Sequence, residues 1–345
     1  MMDLLGFIII LVKVLVVFAG TMLTVLIMIY AERRVSAFIQ GRLGPNRVGP
    51  KGIFQPLADG IKFLMKEDII PAGVDKPIFI LAPAILLIPA LMTFAVIPFG
   101  SDITLFGRQI PLQVADVNVG ILYILALTSI GVYGIVLAGW SSNSKYSLLG
   151  GLRSSAQLIS YELAMGLAVV SIILLSGSLK LNDIVGDQQG HFLSWNVFKQ
   201  PLAFLIFLVA VYAETNRLPF DLSEAEQELV GGYHTEYSSM KFAMFFMAEY
   251  ANMITAAALT VTLFFGGWDV PFVNEAALGL WGAMLSVTSF ILKMGFFLFL
   301  FIWVRWTFPR FRYDQLMRLG WKVMLPLALF NIFLTAGYLT FKAVI

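Results

Sequence analysis

Eight apolar runs constrain this chain more than any other feature: Leu4–Tyr30, Pro77–Ile97, Asn118–Trp140, Gln157–Leu175, Pro201–Ala213, Phe242–Phe265, Ala283–Phe308 and Val323–Phe341. An α-helix rises about 1.5 Å per residue, so about 20 apolar residues cross a ~30 Å hydrocarbon core. Seven of the runs are long enough. The fifth has 13 residues before Glu214, so it crosses only by starting earlier, near Trp195, or by carrying Glu214 into the bilayer. Charged residues make up 13% of the chain, about half of what soluble domains carry, which excludes a soluble globular enzyme. The expected fold is all-α, a polytopic integral membrane bundle of about eight transmembrane helices. No compositional linker or fixed-period repeat divides it, so residues 1–345 read as a single membrane domain. The first run has no small-residue cleavage site and reads as a retained helix.

Lysine and arginine set the expected orientation. Seventeen of them lie in or beside the segments after runs one, three, five and seven, from Arg33 to Lys322, whereas the opposite loops hold only Arg108, Lys180 and Lys199. The positive-inside rule puts the cation-rich side in the cytoplasm and both termini outside. Segments 31–76, 141–156, 214–241 and 309–322 then form the cytoplasmic face. The opposite loops, near Ser101–Val117 and Ser178–Gln200, read as plain connectors with short strand or helix character. The absence of cysteine excludes thiolate-ligated iron–sulfur clusters, Cys zinc sites, disulfides and a Cys nucleophile in this chain. No metal site is expected, and a net charge of +2 argues against a nucleic-acid partner.

The first cytoplasmic segment is far longer than a turn requires. Gly41-Arg-Leu-Gly-Pro-Asn-Arg-Val-Gly-Pro-Lys-Gly52 imposes a fixed, turn-rich path studded with cations. Ile53, Phe54, Leu57, Ile61, Leu64 and Met65 then fall on one helical stripe, which predicts an amphipathic surface helix. Such a helix serves as a lipid anchor, as a wall for an amphiphilic ligand, or as a docking surface for a soluble partner.

Acids gather on the same face. Glu214, Asp221, Glu224, Glu226 and Glu228 stand against Arg217 alone within Glu214–Glu228. Ser223-Glu-Ala-Glu226 resembles a capping box, so helix capping is an adequate account of Asp221 and Glu224. It does not cover Glu214. Glu236 follows Gly231-Gly232, and Glu249 lies about two turns into the sixth run, with Asn252 three residues on. Glu162, Glu214 and Glu249 thus enter three helices at similar depth. Carboxylates inside a membrane face a bundle interior or a wet cavity, and neighbouring ones titrate as a coupled set, which is the chemistry of a proton relay. Interfacial glutamates that merely snorkel are the plainer alternative.

Other polar residues are less informative. Lys293 sits near mid-span with no acid in its own helix, a functional hypothesis without a partner. Lys13 and Lys342 are close enough to span ends to snorkel. His191 and His234 fall in loops on opposite sides, so they cannot jointly ligate one haem iron, and His234 reads as a solvated loop residue.

Several motifs together resemble a known family: Glu32-Arg-Arg, Gly44-Pro-Asn-Arg-Val-Gly-Pro, Gln55-Pro-Leu-Ala-Asp-Gly-Ile-Lys62, Gly139-Trp-Ser-Ser-Asn-Ser-Lys-Tyr146, Ser160-Tyr-Glu162, Ala213-Glu-Thr-Asn-Arg-Leu-Pro-Phe-Asp221, Glu224-Ala-Glu-Gln-Glu-Leu-Val-Gly-Gly232 and Phe246-Met-Ala-Glu-Tyr-Ala-Asn252. They are similar to the family of H-type membrane subunits of bacterial NADH:quinone oxidoreductase, respiratory complex I, the counterparts of mitochondrial complex I subunit 1. The resemblance runs from the first span to the eighth. It implies a bacterial inner-membrane protein at the junction with a peripheral redox arm, beside small and antiporter-like membrane subunits. It also implies a shared chamber for ubiquinone or menaquinone, with FMN and iron–sulfur clusters held in partner subunits. Arg33, the loop of Gly44, Pro45, Asn46 and Arg47, Asp59 and Phe246 match the chamber wall. Glu162, Glu214, Glu224, Glu226, Glu228, Glu236 and Glu249 match the acidic proton channel, with Arg217 pairing inside it. The quinone headgroup is gripped by another subunit in that family, so no complete catalytic site is expected here. Two rivals remain: the equivalent subunit of a membrane-bound hydrogenase or a ferredoxin- or deazaflavin-linked oxidoreductase, and a free-standing ion transporter. A lone transporter has no need of the long docking platform at Ala31–Lys76.

Overall fold

The computed structural model describes residues 4–105, 108–222, 229–273 and 278–344. The first helix, α1 (Leu4–Ile39), runs past the expected end at Tyr30 and carries Glu32-Arg33-Arg34 in its last turns. The Gly-Pro loop follows, then α2 (Gln55–Met65) and α3 (Lys76–Met92), which tightens into a 3-10 turn over Thr93–Val96. A two-stranded antiparallel hairpin, β1 (Ile103–Leu105) and β2 (Arg108–Ile110), leads to α4 (Gly120–Ser141) and the long α5 (Lys145–Ser176). Short α6 (Leu181–Gly186) and α7 (Asn196–Lys199) precede α8 (Pro201–Glu214). Then come α9 (Ser239–Phe264), α10 (Leu280–Thr307), α11 (Tyr313–Leu319) and α12 (Leu325–Val344), the last two joined by a π-turn over Gly320–Met324.

Among the described residues, seven helical stretches are long and apolar enough to cross a membrane, and α8 is a shorter apolar helix. The chain is therefore a polytopic all-α membrane protein. The short fifth span has a physical cause. Gln200 leaves helical geometry at φ −136° and ψ 59°, and Pro201, whose fixed φ suits the first helical position, restarts the chain as α8. The connectors carry the hairpin, α6 and α7.

In lipid, helices gain nothing by hiding apolar side chains from one another, so close van der Waals contact between small residues does the work. Gly134 of α4 shows it: a Cβ there would stand 2.9 Å from the backbone nitrogen of Leu86 in α3. At Gly150 of α5 a Cβ would meet the Gly232 Cα at 2.8 Å, so this glycine admits the 3-10 turn Gly232–His234 against the helix. Helix α5 is the axis of the bundle, with α4, α8 and α12 packed on it, while α3 pairs with α4 and α9 with α3. Tyr161, Phe79, Phe207, Phe245, Phe264 and Phe290 fill the core with fully buried rings.

Helix α1 stands apart. Most of its apolar residues are exposed, and it touches only α2, α9, α10 and the turn after α3 to any extent. An apolar crevice of about 630 Å³ separates its Leu5–Thr24 stretch from the hairpin, α9 and α10. Helix α2 lies across the end of α1 and the start of α9. Its apolar stripe (Ile53, Phe54, Leu57, Ile61, Leu64, Met65) is half or more exposed among the described residues.

Candidate functional site

A buried ionic cluster joins residues far apart in sequence. Glu32 is 7% exposed although it lies on the loosely packed α1, and Arg217 of the turn after α8 is 5% exposed. Arg217 Nη1 donates to both carboxylate oxygens of Glu32, at 2.8 and 3.1 Å, while its Nε lies 2.5 Å from Glu249 Oε1. The Tyr250 hydroxyl donates to Glu32 Oε2 at 2.7 Å, and its ring lies under the guanidinium, 4.6 Å from Cζ. Arg305 of α10 also donates to Glu32. Buried charges persist only when paired and hydrogen-bonded, and here two arginines meet two carboxylates from α1, α9, α10 and the turn.

A buried polar knot holds that turn. Gln157, fully buried on α5, donates from Nε2 to the Ala213 and Phe220 carbonyls, both at 2.8 Å, and to Asn216 Oδ1 at 3.2 Å. Asn216 Nδ2 in turn donates to Ser154 Oγ at 3.1 Å. Asn216 sits at φ +50°, a conformation asparagine tolerates better than most residues. This scaffold explains why α5 begins at Lys145 and not near Gln157: its first turns bury Ser147, Ser154 and Ser155 on one face.

Glu249 joins the knot to a cavity. A space of about 30 Å³ is lined by Glu162 of α5, Glu214 at the end of α8, and Glu249 and Asn252 of α9, with Thr128 and Asn216 alongside. That is room for about one or two waters. Ser129 donates to Glu162, Thr128 is the hydrogen-bond partner of Glu214, and Glu214 feels the charge of Glu162. Thus the structure brings Glu162, Glu214 and Glu249 to one small polar cavity, with Arg217 at its edge. Glu236 lies in the loop before α9 and does not line it. Glu224, Glu226 and Glu228 lie outside the described residues.

The other predicted group assembles around α2. Arg33 Nη1 is 2.5 Å from Asp59 Oδ2, and Gln55 Nε2 donates to Asp59 Oδ1 at 3.3 Å. Gly44 packs beside Arg34 and Ala37 of α1, with Pro45 next along. Gly52 at φ +79° lets the chain pass the Pro45 carbonyl, which a Cβ would strike. Asn46 and Arg47 are exposed. Phe246 packs against Phe242 at 4.7 Å, and Phe242 reaches Phe63 of α2 at 6.1 Å. Ser239 Oγ donates to the carbonyls of Phe63 and Lys66, at 3.0 and 2.9 Å, tying the end of α2 to α9. None of the predicted chamber residues lines the apolar crevice along α1.

Two expectations change. Lys293 has partners: its Nζ donates to the carbonyls of Phe265, Gly267 and Asp269 at 2.9, 3.0 and 2.7 Å and lies over the Trp195 ring. It ties down the turn that follows α9. His234 is not a free solvated side chain, since it packs edge-on against Phe242 and beside Phe246. Sequence reasoning also missed Glu32, Tyr250 and Arg305 as members of the site. The available signal was an acid near the end of an apolar helix, but its partners lie 185, 218 and 273 residues away.

Fold and site together define a polytopic membrane protein that holds a set of carboxylates at depth, clamped by arginine and open to a small polar cavity. Comparison with known proteins places it further. The family model described as NADH dehydrogenase matches residues 12–336. An NADH-quinone oxidoreductase subunit of Geobacter sulfurreducens is 59% identical over 94% of this chain and 92% of its own length. Rhodothermus marinus NADH-quinone oxidoreductase subunit 8 is 58% identical over 91% of this chain and 92% of its own. An NADH-quinone oxidoreductase subunit of Leptospira biflexa is 57% identical over 89% and 88%. The chain belongs to this NADH dehydrogenase family, the H-type membrane subunits of NADH-quinone oxidoreductase.

Proposed function

We propose that this chain is the membrane subunit of a bacterial NADH:quinone oxidoreductase that helps enclose the quinone chamber and couples quinone reduction to proton translocation. The observation that carries the reading is the convergence of Glu162, Glu214 and Glu249 on one cavity whose edge is the Arg217–Glu32 pair. The end of α1 holds both Glu32, which reaches that pair, and Arg33, which reaches Asp59 on α2. One helix end therefore touches both groups. Identity with subunits named for NADH-quinone oxidoreductase over nearly the whole chain favours this reading over the hydrogenase-type and transporter rivals.

The chemistry follows from electrostatics. A quinone, ubiquinone or menaquinone, would enter from the bilayer beside α1 and α2, and FMN and iron–sulfur clusters held by partner subunits would supply its electrons. Reduction takes up two protons beside Arg33, Asp59 and the Gly44–Arg47 loop. The altered charge shifts the end of α1 and, through Glu32, the hold of Arg217 on Glu249. In a site nearly without water such a change is weakly screened, so it alters the protonation of Glu249, Glu214 and Glu162. Protons then pass through the acidic segment toward antiporter-like subunits, Glu224, Glu226, Glu228 and Glu236 contributing. The cation-rich face points to the cytoplasm, and both termini lie on the outer side.

The test is the number of protons moved per electron in vesicles reconstituted with the whole complex. Glu214→Gln and Glu249→Gln are expected to lower it while NADH oxidation with an artificial acceptor continues. Full pumping per electron in both variants would overturn the relay. A photoreactive quinone analogue should label peptides of α2 and the 41–52 loop; labels confined to the opposite loops would remove the chamber assignment.

A further inference from the structure

At the end of the bundle away from the acidic cavity, the last turns of α5 and α12 and the start of α8 leave an open crevice of about 760 Å³. Its character changes from one end to the other. Leu202 and Leu334 contribute an apolar wall, and the floor is a buried polar chain. Asn331 Nδ2 donates to Gln200 Oε1 at 3.0 Å and Gln200 Nε2 donates to Thr335 Oγ1 at 2.8 Å. The rim carries Lys199, Lys342 and Asp187. Lys342 is close enough to Lys199 for their charges to repel, and Asp187 is the acid that offsets them. Among the described residues neither lysine makes a hydrogen bond or a salt bridge. The first turn of α8 opens here too, uncapped by the Gln200 side chain, and adds a partial positive charge.

Cations are scarce at this end of the chain, yet two meet at one crevice with a net charge of +1. The layout runs from charged rim to apolar wall in the direction of a bilayer leaflet. An inorganic anion would use the lysines and waste the leucine wall, whereas an uncharged lipid would leave the lysines repelling each other. We propose that the crevice binds one glycerophospholipid with a singly charged, hydroxyl-bearing phosphodiester headgroup. The phosphate lies between Lys199 and Lys342, a headgroup hydroxyl donates to Asp187, and an acyl chain runs along Leu202 and Leu334. The inference does not depend on the proposed function.

The experiment uses the intact multi-subunit complex, stripped of loosely held lipid and exchanged into nanodiscs of phosphatidylglycerol and phosphatidylcholine, with retained lipid counted by mass spectrometry. The unaltered complex should retain one more phosphatidylglycerol than the Lys199→Ala/Lys342→Ala double variant, whose affinity falls roughly 30-fold. The Lys199→Arg/Lys342→Arg pair should keep it, and inorganic phosphate should not displace it. Equal retention in the alanine variant, equal retention of phosphatidylcholine, or displacement by inorganic phosphate overturns the proposal. Should the alanine variant fail to assemble, a photoreactive phosphatidylglycerol on the unaltered complex decides. Labels on peptides containing Lys199 or Lys342 support the site; labels elsewhere, or a neighbouring protein cross-linked from Tyr338, overturn it.

Discussion

Arg217 and Glu32 lie 185 residues apart in sequence and 2.8 Å apart in space, joining the turn after α8 to the last turns of α1. Removing Arg217 takes one of two arginines from Glu32 and the adjacent guanidinium from Glu249, in a poor solvent for charge. Arg217→Ala is expected to cost about 3–5 kcal/mol and to lower the yield of assembled complex. Arg217→Lys keeps the charge but cannot reach Glu32 and Glu249 together, so its loss should fall between the two. Thermal unfolding of the purified complex checks the order.

Gln157→Leu should be destabilising for a different reason. The leucine roughly fills the space but takes one donor each from the Ala213 and Phe220 carbonyls and Asn216 Oδ1, which keep only backbone and Ser154 partners. Each hydrogen bond lost costs about 0.5–1.5 kcal/mol. Because the same turn carries Glu214 and Arg217, protons pumped per electron should fall along with stability, measured on whatever fraction assembles.

The Arg33–Asp59 pair separates structure from function. Arg33 is 46% exposed at the side chain, and pairs of this kind contribute about 0.2–1 kcal/mol. Neutralising either residue should hardly move the unfolding midpoint. If these side chains wall the quinone chamber, KM for a short-chain quinone should still rise several-fold. The charge-reversed double variant should likewise leave the unfolding midpoint in place without restoring KM.

Two glycines give a paired test of packing. Gly134→Ala puts a Cβ 2.9 Å from backbone, which must shift, at about 1–3 kcal/mol. Gly166→Ala in α5 meets nothing within 4 Å in this chain and should be neutral or slightly stabilising through helix propensity. Expression level and unfolding of the isolated chain in detergent distinguish them.

The membrane spans and the surface helix were legible because each is a local pattern: a run of about 20 apolar residues, or a stripe repeating every turn. The approach of Glu162, Glu214 and Glu249 to one cavity was legible from their similar depth in three helices. Glu32 was not, since what buries it is supplied by Arg217, Tyr250 and Arg305 from three remote segments. The sequence pattern starts α5 twelve residues late because its serines look like a solvated loop until the turn they serve is in place. Lys293 shows no partner in the sequence because its hydrogen-bond acceptors are backbone carbonyls, which no residue type announces, and the nearby Asp269 carboxylate lies outside its helix.

That last arrangement also has a physical meaning for the membrane face on which it sits. Three carbonyl oxygens converge on the Lys293 ammonium much as they would on a sodium or potassium ion. Here the ion is covalently tethered and cannot be exchanged with the medium. The turn from Phe265 to Asp269 is thus closed around a cation that belongs to the chain itself.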